Sequence, residues 1–221
     1  MIRPKILWMP LCFLNGVVMA LSSSPSTPIP PPPPISVPVW CLAAPSLIQK
    51  DTRTRDTNKP FTSMSIVTFA TPVSVAPPKQ WAVSLYHDTL TKDSFLLHKG
   101  GVLQLLSSHQ KTLVPVLGMR SGYEEDYHKQ RECAALGYDW MLPQDATDVE
   151  LLPKCATYIK LRLLSTVDAG DHAVALCEVV GTYTYDNDKE SIVLVPEGST
   201  PSPIDEEKAL YTSLLRKEKI I

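Results

Sequence analysis

Residues 64–78, MSIVTFATPVSVAPP, together with residues 81–91, WAVSLYHDTLT, decide the reading of this chain. Ile66, Val67, Phe69, Val73 and Val75 suit extended backbone, so a strand is expected. Hydroxyls, small residues and a double proline then fall where a β-rich chain would otherwise go on packing apolar side chains. Pro77 and Pro78 fix φ and remove two ladder donors, which ends the run. The stretch reads as a strand that passes into a ligand-cradling loop.

Working outward, residues 36–45 (SVPVWCLAAP) read as the first strand, with Pro38 at its start where a missing N–H is tolerated. Residues 47–60 are polar and suit a hairpin connection back to the strand and loop of residues 61–75. Residues 81–86 form a short strand. Residues 91–99 change to helical spacing, with Thr91 as N-cap, Phe95 and Leu96 inward, and Gly100 and Gly101 as the stop. Residues 102–107 (VLQLLS) read as a buried strand. Beyond Ser108 the pattern is helical. Pro115 is expected to break or kink a first helix, and residues 123–136 to make a second, with EEDYHKQRE as a solvated face without chemistry.

The clearest β signal comes last. In residues 156–167, Ile159, Leu161 and Leu163 alternate with Lys160 and Arg162. DAGDH (168–172) is a turn made by Gly170 and Asp171, and residues 173–185 return as the partner strand. IVLVP (192–196) adds an edge strand. Residues 203–221 are expected as a terminal helix capped by Asp205. Strands with inserted helices make the fold mainly β (α+β), and closure into a β-barrel is the economical way to remove exposed edges.

The first 35 residues differ. Arg3 and Lys5 precede an apolar run of about fifteen residues, interrupted by Pro10 and Asn15 and short of the roughly twenty a spanning helix needs. Val18 and Ala20 offer a small-residue cleavage site, and a Ser/Thr/Pro tract follows. No acidic residue precedes Asp51. This suits an organelle-import leader, with a plastid preferred and secretion as the alternative. The expected organisation is a targeting leader and Pro-rich linker at 1–35, a barrel domain at 36–200 and a terminal helix at 201–221. A net charge of −2 argues against nucleic acid and against an anionic membrane surface, and no membrane partner is expected in the mature form. Five irregularly spaced cysteines without a CxxC pair give no disulfide framework or metal site, and Cys41, Cys155 and Cys177 fall in apolar runs as buried thiols. There is no GxSxG, P-loop, HExxH or GxGxxG, so no catalytic side chain is assigned. His87, Asp88 and Asp93 read as a surface cluster.

SVAPP, the short strand after it, Thr91 opening a helix, VLQLLS and the turn AGDHAVALCEVV, in this order and spacing, resemble the flavin reductase-like family with its FMN-binding split barrel. MSIVTFATPVSVAP is similar to a plant and cyanobacterial branch of it. The resemblance spans roughly residues 37–195. It implies a flavoprotein that passes electrons from NAD(P)H through FMN to free flavin or another acceptor, and a homodimer with flavin near the subunit contact. A non-catalytic flavin- or small-ligand-binding barrel is the alternative. The cofactor-binding residues it implies are Val67, Thr68, Phe69 and Ala70 at the flavin edge, Ser74, Thr89 and Thr91 toward the phosphate, and His172 in the turn facing the nicotinamide approach. Trp81, Tyr86 and Trp140 are candidates for stacking. Ile66, where the family often has Thr, and His87 with Asp88, where a base often holds phosphate, depart from the pattern.

Overall fold

A computed structural model describes residues 35–48, 61–74, 76–124, 128–144, 148–196 and 208–221. Eight strands form one antiparallel sheet: β1 (Trp40–Pro45), β2 (Thr62–Val67), β3 (Ala70–Ser74), β4 (Gln80–Tyr86), β5 (Gly100–Leu105), β6 (Thr157–Ala169), β7 (His172–Asp186) and β8 (Ser191–Leu194). The order across the sheet is β2-β1-β5-β6-β7-β4-β3, with β8 on the far part of β7. The outermost strands β2 and β3 are consecutive in the chain, joined only by Thr68 and Phe69. Six antiparallel steps restore the direction of the first strand, so β3 continues the course of β2. One strand, broken at Thr68 and Phe69, therefore serves both ends of the sheet, and the sheet has to roll up. This is the split barrel, and it leaves a seam at the break.

The roll creates two apolar regions, which β1 separates. Trp40, Leu42 and Ala44 point into the barrel with Val67, Val83, Leu103, Leu161 and Cys177. The alternate residues Val39, Cys41 and Ala43 point outward, yet they too are buried, under an outer layer. Helix α1 (Leu90–His98) sends Phe95, fully buried, into the inner cluster beside Gly101. The outer layer comes from α2 (Leu113–Gly118), α3 (Lys129–Ala135), the stretch around residues 149–155, and α4 (Thr212–Lys217). The chain before α4 is threaded by backbone hydrogen bonds: Val39 donates to Leu210, Leu210 to Leu106 and Thr212 to Val37.

Buried polar side chains fasten this layer. Gln104 accepts from Leu152 N–H at 2.7 Å, Gln110 donates to Pro153 O at 2.8 Å, and the Tyr158 hydroxyl donates to Leu152 O at 2.8 Å. Each bond satisfies a main-chain group that irregular buried backbone would otherwise leave bare. Lys129, 8% exposed, donates its Nζ to Met64 O at 3.0 Å and Leu117 O at 2.7 Å, tying α3 to β2 and α2. Burial lowers its pKa to about 8. Cys41, Cys133, Cys155 and Cys177 are free and buried, and burial raises all four thiols.

Several sequence expectations change. The N-cap of α1 is Thr89, not Thr91, and its stop is Lys99 in the left-handed region (φ 53°), which leaves Gly100 and Gly101 free to open β5. Pro115 neither breaks nor kinks a helix: it sits in the first turn of α2, where no intrahelical donor is needed. The second helix covers only 129–135, and Lys129 departs from the solvated face expected there. Tyr211 occupies the N-cap position of α4; Asp205, like the hairpin connection at 49–60 and the leader at 1–34, lies outside the described residues. The β6–β7 hairpin and the added strand β8 form as the alternation indicates. Past Leu163, whose N–H still donates to Lys99 O, β6 outruns β5 and among the described residues pairs with β7 alone.

Two consequences are measurable. A Cβ on Gly101 would stand 2.4 Å from Ala43 O, so Gly101→Ala has to push β1 and β5 apart. The cost is about 1–3 kcal/mol, read as a fall in Tm of roughly 2–4 °C per kcal/mol; an unchanged Tm would contradict this close approach. The second consequence concerns pH. Between about pH 8, the folded pKa of Lys129, and its ordinary 10.5, the unfolded chain keeps a proton that the folded chain has released. Stability from this group therefore rises with pH across that window, by up to roughly 3 kcal/mol. The difference in unfolding free energy between wild type and Lys129→Met isolates it from the opposing buried thiols, and a flat difference would place the ammonium in water.

Candidate functional site at the barrel seam

The site grows from the break in the β2/β3 strand. Val67, the last residue of β2, pairs with Trp40 and turns its side chain into the inner cluster. Ala70 pairs with Val83 and starts β3. Between them, Thr68 and Phe69 stand outside both ladders. Phe69 O accepts from Ser84 N–H at 2.8 Å, while the N–H groups of Thr68 and Phe69 and the Thr68 carbonyl have no partner among the described residues. The Phe69 ring is 62% exposed.

Alternation brings two more rings to the same place. On β4, Val83 and Leu85 face the interior, so Tyr86 faces out; on β7, Ala173 and Ala175 face in, so His172 faces out. Tyr86 and His172 are register partners. Their rings meet edge to face with centroids 5.3 Å apart, and Phe69 approaches His172 likewise at 6.3 Å. Tyr86 remains 56% exposed. Three rings thus line the outer side of the seam.

A two-residue turn sets the histidine. Gly170 has φ +70°, which places a glycine at the first central position of the loop between Ala169 and His172. Asp171 Oδ1 lies 2.7 Å from His172 Nδ1, and this hydrogen bond, ahead of other causes, holds the Asp171 carboxyl below its usual range. His87 N–H donates to Asp171 O at 3.0 Å, and His87 Nε2 lies 2.9 Å from Asp168 Oδ1. The end of β4 is therefore stitched to the hairpin turn.

Helix α1 begins beside these rings. Thr89 Oγ1 accepts from Lys92 N–H at 3.3 Å and donates to Tyr86 O at 3.1 Å. Asp88, just before it, is in the left-handed region at φ 60°. Lys92 Nζ is 3.1 Å from Asp93, and the Tyr123 hydroxyl donates to Asp93 at 2.6 Å. Burial would raise the Asp93 carboxyl, but the bonds from Tyr123 and Lys92 outweigh it and hold the pKa down; the same contact pushes Tyr123 up to about 12. Ser121 Oγ donates to Asp88 O at 3.3 Å, seating the 119–124 loop on the start of the helix.

Of the residues singled out in the sequence, the structure gathers Thr68, Phe69, Ala70, Thr89 and His172 along this seam, with Val67 behind it. Thr91 is not on the surface of the cleft: it is 2% exposed and its hydroxyl is bonded to Ser63 Oγ at 2.8 Å. Ser74 pairs with Gln80 at the other end of β4, six residues from Tyr86 or about 20 Å along the strand, and its hydroxyl donates to Ala76 O. Trp81 packs edge to face on Trp40 and Trp140 is buried in the outer layer, which leaves Tyr86 as the stacking candidate at the site. The roles of Asp168 and Tyr123 escaped sequence reasoning, and Asp93 read only as part of a surface cluster, because their partners are set by strand register and by a loop seated across the fold. A groove of about 990 Å³ lies toward the opposite end of β7, against Tyr138, Lys154 and Tyr185, and holds none of the predicted residues. Among the described residues no group of three or more His, Cys, Asp or Glu could hold a metal ion, and no helix is long and apolar enough to cross a membrane.

Comparisons with known proteins agree with this architecture. The family model described as flavin reductase like domain matches residues 52–201, more than half of the chain. No curated protein matches it significantly. Among solved structures, flavoredoxin from Methanosarcina acetivorans is 12% identical with a TM-score of 0.50, over 78% of this chain and 91% of that one. BorF, the flavin reductase component of a bacterial two-component tryptophan halogenase, is 14% identical with a TM-score of 0.50, over 74% and 92%. A Sinorhizobium meliloti chain is matched over only 43% of its length, at 18% identity and a TM-score of 0.48 over 67% of this chain. At such identities the two structures with a TM-score of 0.50 speak for the fold alone, and the family match carries the assignment: the chain belongs to the flavin reductase-like family of flavin-binding oxidoreductases, built on the split barrel.

Proposed function

We propose that this chain is an NAD(P)H-dependent flavin oxidoreductase that holds FMN or a related flavin at the seam and passes electrons to free flavin or another acceptor. The observation that carries this reading is the pair of N–H groups of Thr68 and Phe69, without a partner among the described residues, beside three outward rings. An isoalloxazine ring is flat, with nitrogen and oxygen atoms along one edge, and that donor set fits it. When bound, the flavin supplies the hydride and electron chemistry. The chain's own residues do the placing. Thr68 and Phe69 donate to the polar edge, Phe69 and Tyr86 cover a face and exclude water, and Asp171 fixes the His172 ring so that its Nε2 is the nitrogen left for a bound molecule. No side chain is required as acid or base, consistent with the lack of a catalytic motif.

The same reading includes a homodimer, for which the exposed Val167 and Val180 on the β6–β7 hairpin offer apolar surface, and a leader that directs the chain to a plastid. The test is direct. The purified full chain is expected to bind flavin, seen as visible absorbance or as quenching of added flavin fluorescence, and to oxidise NADH or NADPH when flavin is present. Tyr86→Ala removes one ring contact and is expected to weaken flavin binding by up to about tenfold. A protein that neither quenches FMN, FAD or riboflavin nor oxidises a nicotinamide with any of them overturns the proposal.

A further inference from the structure

We infer that the groove at the far end of β7 is a second small-molecule site, one that takes a small organic anion with a flat apolar body. The groove has a volume of about 990 Å³, at the large end for a ligand pocket. Tyr185, in its lining, stands on β7 roughly 40 Å along the strand from His172. The groove is therefore separate from the seam, and the inference does not rest on the flavin reading. Its walls are bonded to one another: the Tyr138 hydroxyl donates to His109 O at 2.8 Å, and Ser108 N–H donates to Lys208 O at 2.7 Å. Half-buried Tyr138 and Tyr185, with the exposed Leu194, give it ring and apolar surface.

Charge decides the class of ligand. Lys154, Lys208 and His109 line the groove, and among the described residues no Asp or Glu does. Lys154 is the fixed cation. Its φ is 60°, in the left-handed region, where a lysine is strained and a glycine or asparagine would be at ease. Buried bonds hold the turn in that shape from both sides. Leu152 N–H donates to Gln104 at 2.7 Å, Gln110 donates to Pro153 O at 2.8 Å, and Cys155 N–H donates to the Tyr158 hydroxyl at 3.0 Å. The Lys154 side chain is exposed and has no partner among the described residues. It adds nothing to the core, so what this strained position contributes is a positive charge at the groove. Tyr185 adds a donor: burial, and after it the charge of Glu190 from beyond the lining, hold its hydroxyl above the usual range, so it keeps its proton. Two lysines, a hydroxyl and ring surface suit a carboxylate or sulfonate carried on an aromatic body.

The experiment titrates the full chain with anilinonaphthalene sulfonate (ANS), a flat anion that fluoresces in apolar surroundings, and with its neutral parent phenylnaphthylamine. ANS is expected to bind more tightly than the neutral dye, and added salt to weaken ANS alone. Lys154→Asn removes the charge and suits φ 60°, so it should leave Tm no lower. It should weaken ANS about three- to fivefold and the neutral dye less than about twofold. Lys154→Arg should bind ANS as the wild type does, and Tyr86→Ala, at the seam, should leave ANS binding unmoved. Equal affinity for the two dyes, or an ANS affinity that falls in Tyr86→Ala and not in Lys154→Asn, would overturn the inference. So would failure of ANS to bind, which would make the chain's own acidic stretch at 197–207 the occupant to test, since its flanks Pro196 and Lys208 both line the groove.

Discussion

The whole molecule depends on two residues between strands. Thr68 and Phe69 interrupt what would otherwise be one strand, and because its two halves pair at opposite ends of the sheet, the sheet has to curl until those ends meet. Closure supplies the inner core, satisfies the main chain along most of the sheet and removes most of the exposed edge. At the break the Thr68 and Phe69 N–H groups are left without a partner among the described residues, and that is where the outward rings of Phe69, Tyr86 and His172 collect.

A second constraint follows from rolling a sheet whose first strand is buried on both sides. Residues 39–44 leave β1 no solvated face, so its outer residues require cover. The cover consists of short helices and irregular backbone, which cannot satisfy its own hydrogen bonds. Gln104, Gln110, Tyr158 and Lys129 take over that task from inside. Their burial follows from the number of main-chain groups that the layer leaves open.

What the sequence disclosed tracks the range of the interaction. Local pattern gave the β6–β7 hairpin, the strand after Pro78 and the glycine turn, since alternation and turn chemistry act over a few residues. It also placed Thr68, Phe69 and His172 at one site, although only through family likeness. It missed what depends on register. Nothing local tells that Thr91 faces Ser63 while Thr89 caps the helix, because both are threonines two residues apart and the choice lies in where β2 passes. Lys129, in a run rich in charge, is solvated by every local criterion; only the positions of Met64 O and Leu117 O show otherwise. The pairing of His87 with Asp168 likewise spans a strand and a turn. Ser74 shows the converse, since nearness in a motif does not survive extension along a strand and it stands at the other end of β4 from Tyr86.

The overshoot of β6 past β5 has a consequence for the molecule among other molecules. From Leu164 to Ala169 the strand has a ladder partner on one side only among the described residues, so its other side is open to pairing with an extended chain. Leu164 and Val167 make this stretch adherent. The shift in register between Leu163 and Ser165 and the carboxylate of Asp168 work against it, the first by spoiling the spacing a new strand would need and the second by charge. The carboxylate that bonds to His87 at the seam thus also stands guard at an open edge of the barrel.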